Sequence, residues 1–329
     1  KQRLITASTL AMGQKIVILD EPLANLDTAG AEMLMSTLKS LAKAGYCIIV
    51  IEHRLDVVLP FVDKVFHVGN RNVNEITDRE NYLKEQSTEI EDTCSTFSGT
   101  LPAFSLADVA FAVKERDILN GVTFDILKGS RTVLLGENGC GKTTLLRLIS
   151  RLEKPTRGVI LQNIDDKFGQ KSKQSKKWYK KVGVVYQNPD YQLFMQTVEK
   201  EIKFGAKSDE YADEIAEKFG IKHLYARHPQ SLSEGQKRRV SIAAVVATDP
   251  EVLILDEPTV GQDYKGLCEM VEVLNKLHEE AHNTMITVTH DKRCAAALCD
   301  KSVWIKNGKT YKTGGKELVD EFFIQIGVN

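Results

Sequence analysis

Short apolar runs recur along the chain and alternate with longer segments that have helical spacing. The runs occupy residues 132–136, 183–186, 252–255 and 285–289. Short β-rich runs of this kind predict strands. Because helical stretches separate these strands, we expect a largely parallel sheet flanked by helices, which is an α/β fold.

Two segments depart from this alternation. Residues 104–126 carry β-rich stretches with no helical pattern between them, and they predict an antiparallel β-subdomain that precedes the main sheet. Residues 75–102 are rich in Asp, Glu, Ser and Thr and show no sustained period. They predict a polar linker with a short helix near Tyr82.

The chain contains an internal repeat. Residues 1–27 align without a gap on residues 237–263, with ten identities in 27 positions. One extra residue in the second copy brings His53 onto His290. Residues 104–236 have no counterpart before the first copy, so we expect a fragment of a longer product. The predicted domains are a C-terminal remnant at 1–74, a linker at 75–103 and a complete domain at 104–329.

Composition narrows the possible functions. The 329 residues are 42% apolar, which is enough for two packed domains, and the net charge of -1 gives no field that favours nucleic acid. We expect no signal peptide, and no apolar run approaches the roughly 18 residues of a membrane span. The six cysteines lack metal-site spacing and are expected to be free thiols. Seven lysines in residues 167–181 are interpreted as a solvated hairpin.

The segment Gly-Glu-Asn-Gly-Cys-Gly-Lys-Thr from Gly136 to Thr143 fits the spacing GxxxxGK[ST]. It follows an apolar run and precedes a helical pattern over 144–150, which is the context that a phosphate-binding P-loop requires. Backbone amides of the loop and the helix N-terminus favour phosphate. We expect Lys142 to reach the β and γ phosphates of ATP and the Thr143 hydroxyl to bind Mg²⁺.

Two adjacent carboxylates, Asp256 and Glu257, end the apolar run 252–255. At the end of a strand the chain can turn both side chains toward the phosphate site. We assign Asp256 to the magnesium shell and Glu257 to the general base that polarises the attacking water.

The motif Leu-Ser-Glu-Gly-Gln at 232–236 precedes a predicted helix that runs through Ala247, and Ser233 is a good N-cap. Five features follow one another along the chain: the P-loop, Gln187, this motif, the carboxylate pair and His290. The order resembles the nucleotide-binding domain of ABC-type ATPases, and the resemblance covers about residues 104–315. It implies that the signature motif of one domain closes over ATP held by the P-loop of its partner.

The same resemblance implies the site residues. Gln187 would contact magnesium and the attacking water, and His290 would contact the γ-phosphate. The predicted ATP-binding residues are Gly136, Glu137, Asn138, Gly139, Cys140, Gly141, Lys142, Thr143, Thr144, Ser233, Gly235 and Gln236. The predicted catalytic residues are Gln187, Glu257 and His290, and the predicted Mg²⁺ ligands are Thr143, Gln187 and Asp256.

Two positions depart from the family pattern. An aromatic residue usually stacks on adenine before the P-loop, but the in-phase position here is Val113, with Phe111 nearby. Glu234 also replaces the usual glycine of the signature, while Ser233 and Gly235 are kept.

Residues 186–194 and 197–205 resemble the Q-loop segment of energy-coupling-factor importer ATPases, the class for cobalt, nickel and B vitamins. The resemblance implies a motor subunit at the cytoplasmic face of the membrane. Its expected partners are a transmembrane scaffold subunit, a substrate-binding membrane subunit and a second ABC domain, without nucleic acid. Leu193 and Phe194 are predicted to lie on an exposed turn.

The expected function is ATP hydrolysis that drives import of a vitamin, a vitamin precursor or a metal ion. One alternative is a soluble tandem ABC protein that acts on the ribosome or nucleic acid without a membrane subunit. Another is an inactive regulatory remnant, which the presence of Lys142, Asp256, Glu257 and His290 argues against.

Overall fold

The computed structural model describes residues 14–23, 26, 28–69, 71–86, 90, 97–114, 116–164, 168–169 and 176–327. The chain separates into two compact units, with the main boundary between residues 89 and 90. Residues 1–13 of the repeat, Cys94 and, in the lysine-rich segment, residues 167 and 170–175 lie outside the described residues.

The first unit is an α/β fragment with a hairpin. Its strands β1 and β2 pair in parallel, and β3 and β4 pair antiparallel. The helix at Arg79–Gln86 confirms the short helix that was predicted near Tyr82 in the polar segment. In chain order the elements are β1 (Ile16–Asp20), α1 (Thr28–Lys43), β2 (Cys47–Ile51), α2 (Leu55–Val58), a 3₁₀ turn (Leu59–Phe61), β3 (Phe66–Gly69), β4 (Asn72–Glu75) and α3 (Arg79–Gln86).

The two faces of the β1–β2 pair differ in burial. Val17 and Leu19 are buried in one cluster with Leu34 and Leu38 of α1. The neighbouring positions of the strands point to the opposite face, because side chains alternate along a strand. That face exposes four isoleucines: Ile16, Ile18, Ile49 and Ile51.

The second unit contains the main sheet and the remaining elements. The strands are β5 (Pro102–Val113), β6 (Arg116–Leu127), β7 (Arg131–Leu135), β8 (Arg157–Asn163), β9 (Phe168–Gly169), β10 (Val182–Val185), β11 (Val252–Asp256), β12 (Thr284–Val288), β13 (Lys301–Lys306) and β14 (Lys309–Gly314). The helices are α4 (Lys142–Ile149), α5 (Lys176–Lys181), α6 (Val198–Lys203), α7 (Asp209–Lys218), α8 (Glu234–Val246), α9 (Tyr264–Ala281), α10 (Lys292–Ala297) and α11 (Lys316–Gln325). Short 3₁₀ turns occupy Pro189–Tyr191, Lys222–Leu224 and Pro229–Ser231.

The main sheet has the order β10-β11-β12-β7-β13-β14. All neighbours are parallel except β13 and β14. A second, antiparallel sheet has the order β6-β5-β8-β9. The predicted α/β fold and its antiparallel β-subdomain are therefore confirmed, and each predicted strand of the main sheet lies within one residue of its expected position. The helices α6, α7 and α8, between β10 and β11, form the helical subdomain that carries the signature, which was also expected.

Two hydrophobic clusters lie on opposite faces of the main sheet. Because alternate residues of β11 point to opposite faces, Val252 and Ile254 join the cluster of α4 and the antiparallel sheet. Leu253 and Leu255 join the cluster of the helical subdomain. A strand buried on both faces needs an uninterrupted apolar run, which is what the sequence of β11 provides.

A buried ionic network anchors the strand that leads into the P-loop. Arg131 at the start of β7 donates from Nη2 to Asp300 Oδ1 (2.6 Å) and from its backbone N to Oδ2 (2.8 Å). Its Nη1 donates to Asn275 Oδ1 (2.9 Å) and to the carbonyl of Ala297 (3.1 Å). The network therefore ties β7 to α9 and to the loop before β13.

Candidate active site

The P-loop connects the buried strand β7 to helix α4. Its glycines adopt positive φ angles, 151° at Gly136 and 107° at Gly141. A Cβ atom at Gly136 would lie 2.5 Å from the carbonyl oxygen of Ile305, and one at Gly141 would lie 2.5 Å from Leu119 Cδ2. The loop can therefore follow this path only with glycine at both positions.

Lys142 begins α4, and only 7% of its surface is exposed. Its Nζ donates to the carbonyl oxygens of Gly136 (2.5 Å) and Glu137 (3.0 Å). The ammonium group therefore lies across the loop, where an arriving phosphate would meet a buried positive charge as well as the amides at the N-terminus of α4.

Asp256 ends the central strand β11 and is buried. Thr143 Oγ1 donates to Asp256 Oδ2 (3.3 Å), which brings the two predicted magnesium ligands together. Burial raises the pKa of Asp256, while the hydrogen bond from Thr143 and the charge of Lys142 oppose the shift. A cation at this carboxylate would relieve the cost of burying its charge.

Glu257 has a left-handed backbone conformation, with φ of 56°. Its backbone N donates to the carbonyl of Val288 (2.8 Å), and its Oε2 accepts from the backbone N of His290 (3.2 Å). His290 Nε2 lies 3.5 Å from Glu257 Oε1. Burial, followed by repulsion from Asp256, raises the pKa of Glu257 to about 8. A carboxylate with a raised pKa has a high affinity for a proton, which suits a general base.

These side chains surround one cleft of about 640 Å³. The cleft is lined by Lys142, Gln187, Asp256, Glu257 and His290. Residues 137–144 of the P-loop also line it, so the structure brings together the P-loop, catalytic and magnesium residues predicted from the sequence.

The two positions considered for adenine stacking lie outside the cleft. Phe111 packs against the hydrophobic cluster of the antiparallel sheet, and Val113 is 48% exposed; neither is among the residues that line the cleft. Residues 116–118 and the turn 306–308 line it instead. No sequence motif marks these segments, because they come together only when β6 and the β13–β14 turn pack side by side.

The signature motif lies away from this cleft. Ser233 Oγ accepts from the backbone N of Gln236 (3.3 Å), and Gln236 Oε1 accepts from the backbone N of Ser233 (3.2 Å). This capping box starts the 13-residue helix α8. Ser233, Gly235 and Gln236 do not line the cleft. Because the Ser233 oxygen accepts from the backbone, its own proton stays available for donation to an anion.

The prediction for the turn after Gln187 was half wrong. Phe194 is 67% exposed, as predicted, but Leu193 is only 4% exposed and belongs to the core of the helical subdomain. The backbone N–H groups of Phe194 and Met195 both donate to Glu201 Oε2, which fixes the turn with Leu193 directed inward.

The first unit repeats the geometry of the carboxylate–histidine pair. Glu21 also has a positive φ of 44°, and its backbone N donates to the carbonyl of Ile51 (2.9 Å). His53 Nε2 lies 3.4 Å from Glu21 Oε1, and the hydrogen bond to Glu21 raises the pKa of His53. The repeat in sequence is therefore also a repeat in local structure.

Comparisons with known proteins identify the family of this chain. The ABC transporter family model matches residues 119–260. The energy-coupling factor transporter ATP-binding protein of Enterococcus faecalis is 40% identical over 221 residues, covering 62% of this chain and 74% of its own length. A Bacillus subtilis protein named for HMP/thiamine import is 31% identical over 342 residues, covering 91% of this chain and 62% of its own length.

Solved structures show the same likeness. The structure of cbiO1 from Clostridium perfringens, part of the ABC transporter complex cbiONQ, has a TM-score of 0.59 at 31% identity and covers 68% of this chain and 92% of its own. A dimeric ATP-binding cassette bound to ADP and Pi has a TM-score of 0.57 at 26% identity, covering 65% and 98%. The chain belongs to the ATP-binding proteins of ABC transporters. It is an ABC ATPase.

Two further observations concern the length of the chain and the hydrophobicity of its helices. The chain spans 62% of the length of the HMP/thiamine relative. Within the described part of the chain, no helix is both long and apolar enough to cross a membrane.

Proposed function

We propose that this chain is the ATP-hydrolysing subunit of an ABC importer of the energy-coupling-factor kind, for a vitamin, a vitamin precursor or a metal ion. The proposal is carried by the convergence of Lys142, Asp256, Glu257 and His290 on one cleft. It is supported by relatives named for transport and import. None of these names points to the ribosome or to nucleic acid.

The residues have distinct roles in this proposal. The P-loop amides and Lys142 bind the phosphates of ATP. Glu257 takes the proton of the attacking water, and the backbone N–H of His290 holds its carboxylate in place. Gln187 orients the water, and the His290 ring contacts the γ-phosphate.

The oxygens near Thr143 suit Mg²⁺. Thr143, Asp256 and Gln187 offer hard oxygen donors around the same cleft. No cluster of three His, Cys, Asp or Glu residues capable of holding a metal occurs in the described part of the chain. A site with few protein ligands is usual for Mg²⁺, because water and phosphate oxygens supply most of its ligands. When bound, the ion would neutralise phosphate charge.

The exposed aromatic pair Phe194 and Phe204, with Tyr191 earlier in the same segment, is the proposed docking surface for the membrane scaffold subunit. Phe194 and Phe204 meet edge to face at 5.4 Å, and both are exposed. Tyr191 is 80% exposed. Exposed apolar patches of this kind mark interaction sites. Docking here would place the chain at the cytoplasmic face of the membrane, with a substrate-binding membrane subunit as a further partner.

The first unit is proposed to be the C-terminal remnant of a first ABC domain, at residues 1–74, which residues 75–103 link to the complete domain at 104–329. Ile16 and Ile18 are exposed, whereas their repeat partners Val252 and Ile254 are buried under α4 and the antiparallel sheet. We propose that, in a complete first ABC domain, a P-loop segment covers the face of β1 that exposes Ile16 and Ile18.

The cleft of the second unit needs a signature motif from another domain, because its own signature lies elsewhere. We propose that two copies of this chain pair head to tail through their second units, and each supplies Ser233 to the other cleft. The ATPase rate is then expected to rise faster than linearly with protein concentration.

A mixing experiment tests this pairing. Lys142→Ala removes the P-loop lysine and keeps the signature, whereas Ser233→Ala does the reverse. Each variant alone is expected to be nearly inactive. An equal mixture should recover about a quarter of the wild-type rate, because half of randomly formed pairs are mixed and each has one intact site. A mixture no more active than the sum of its parts would contradict head-to-tail pairing.

The transport part of the proposal has its own test. Phe194→Ala should reduce recovery of a membrane protein in pull-downs from native membranes while the affinity for ATP stays unchanged. Loss of ATP binding with full membrane-protein recovery would reverse this assignment.

A further inference from the structure

The strand order of the main sheet gives the cleft two different sides. Asp256 and Glu257 lie at the end of β11 and His290 follows β12, on one side of the P-loop strand β7. The β13–β14 turn lies on the other side of β7, and its residues 306–308 line the same cleft. Because the catalytic residues occupy the β12 side, a nucleotide whose phosphates bind the P-loop places its base on the β13 side.

The start of β6 and the β13–β14 turn form this second side. The carbonyl of Gly308 accepts from the backbone N of Asn120 (2.7 Å), and a Cβ atom at Gly308 would lie 2.5 Å from the carbonyl oxygen of Ile118. A Cβ atom at Gly141 would lie 3.3 Å from the same carbonyl oxygen. Residues 116–118 are therefore held next to both the P-loop and the turn.

Stacking on an aromatic ring does not account for base binding here. Among the described residues that line the cleft, Trp304 is the one aromatic side chain. It is 2% exposed and packs edge to face against Tyr311 (ring centroids 4.8 Å apart) and Phe322 (5.2 Å). Because the ring is buried, it offers no face to a base, and recognition is left to the polar groups.

The polar groups on this side are two cations and one carboxylate. Lys306 Nζ lies 5.1 Å from the ring centroid of Tyr311 and 5.9 Å from that of Trp304, and these cation–π contacts restrain it beside the cleft. Arg116 and Asp117 are exposed, and neither side chain has a hydrogen bond or ion pair with another described residue. Both can therefore bind a ligand without breaking an existing contact.

A carboxylate next to such cations matches guanine better than adenine. Guanine presents N7 and O6 as two adjacent acceptors, which suit arginine or lysine. Its N1–H and 2-amino groups are adjacent donors, and one ionised carboxylate can accept from both. Adenine offers a carboxylate its 6-amino group alone, next to the acceptor N1, which repels the negative charge.

We propose that Arg116, Asp117 and Lys306 form a nucleobase subsite through which this cleft accepts GTP at least as well as ATP. Arg116 or Lys306 donates to O6 and N7, and Asp117 accepts from N1–H and the 2-amino group. The inference rests on the proposed function, because either nucleotide uses the same P-loop. The chemistry is unchanged: water attacks the γ-phosphorus, Glu257 takes its proton, and GDP leaves in place of ADP.

Competitive binding to the full chain carrying Glu257→Gln, which prevents turnover, tests the subsite. MgATP, MgGTP and MgITP each displace a fluorescent ATP analogue, and ITP differs from GTP by the missing 2-amino group. The Kd of GTP is expected to be at most about three-fold that of ATP. ITP is expected to bind at least about three-fold more weakly than GTP, because a hydrogen bond to a charged acceptor is lost.

Two variants identify the groups that read the base. Asp117→Asn should weaken GTP about five-fold and ATP less than about two-fold, and it should abolish the difference between GTP and ITP. Arg116→Met keeps the length of the side chain and removes its donors, so GTP should weaken more than ATP.

An exposed ion pair on the same antiparallel sheet provides the matched controls. Arg157 Nε lies 3.0 Å from Asp108 Oδ2, and neither residue is among those that line the cleft. Asp108→Asn and Arg157→Met should therefore leave the affinities for all three nucleotides unchanged. An equal loss of GTP binding in Asp108→Asn and Asp117→Asn would overturn the inference.

The parent protein alone can also refute the subsite. ATP binding with GTP more than about three-fold weaker would overturn the inference and leave the proposed function intact. Equal affinities for GTP and ITP would overturn it as well, and this comparison decides if Asp117→Asn does not fold. Failure of all three nucleotides to bind would instead refute the proposed function, and the inference with it.

Discussion

The buried ion pair between Arg131 and Asp300 gives a prediction of stability whose size follows from the structure. The two side chains are 2% and 7% exposed, and their closest atoms are 2.6 Å apart. Asp300→Ala leaves the guanidinium group of Arg131 buried without its carboxylate. Removing one partner of such a pair destabilises a protein by about 3–5 kcal/mol, because the remaining charge keeps the cost of its desolvation.

An exposed ion pair in the same unit provides the control. Lys312 and Glu321 approach to 2.5 Å, but their side chains are 50% and 47% exposed. Because water screens this pair, Glu321→Ala should change the free energy of unfolding by only about 0–1 kcal/mol. The two variants thus separate the effect of burial from that of distance.

Urea denaturation followed by tryptophan fluorescence is a suitable assay. The chain has two tryptophans, Trp178 and Trp304, and both lie in the second unit with the ion pairs. Asp300→Ala should lower the midpoint by about 1–2 M urea, while Glu321→Ala leaves it nearly unchanged. Equal shifts in the two variants would refute the argument from burial.

Three further predictions concern the P-loop lysine and the two carboxylate–histidine pairs. Lys142→Ala removes a buried cation from the P-loop, so a fluorescent ATP analogue should bind at least about ten-fold more weakly while the circular dichroism spectrum is retained; unchanged binding would exclude the P-loop role. Glu257→Gln keeps the side-chain shape and removes the base, so ATP should still bind while phosphate release slows by about 10²–10⁴; near-normal turnover would move the base elsewhere. In the first unit, Glu21→Gln should lower the pKa of His53, followed by NMR of its ring protons, because the hydrogen bond to Glu21 raises that pKa in the wild type; an identical titration would contradict the pairing.

The features that the sequence predicts well depend on local patterns. The run at 252–255 is apolar at every position because β11 is buried on both faces, so it stands out in a chain of mixed polarity. The P-loop is likewise defined by residues that are adjacent in sequence. Its glycines have positive φ angles, a local backbone requirement that favours glycine.

The features that the sequence misses depend on contacts between distant segments. Leu193 and Phe194 are both apolar, and only the anchoring of their turn by Glu201 decides which one is buried. Residues 116–118 and the turn 306–308 line the cleft only because β6 and the β13–β14 turn are neighbours in the fold. In the sequence, nothing distinguishes Arg238 from other charged helix residues. Its contact with the carbonyl of Gln187, 51 residues earlier, exists only in the folded chain.

The left-handed backbone at Glu257 has a consequence for how this protein can change over time. At a φ of 56° a β-branched side chain is sterically strained, whereas glycine, asparagine and aspartate adopt the conformation at little cost. Glu21, with a φ of 44°, imposes the same filter on the first unit. Substitution of either glutamate therefore has a narrow set of folded outcomes. A descendant that loses catalysis yet stays intact is expected to carry Gln, Asn, Asp or Gly at these positions, and not Val or Ile.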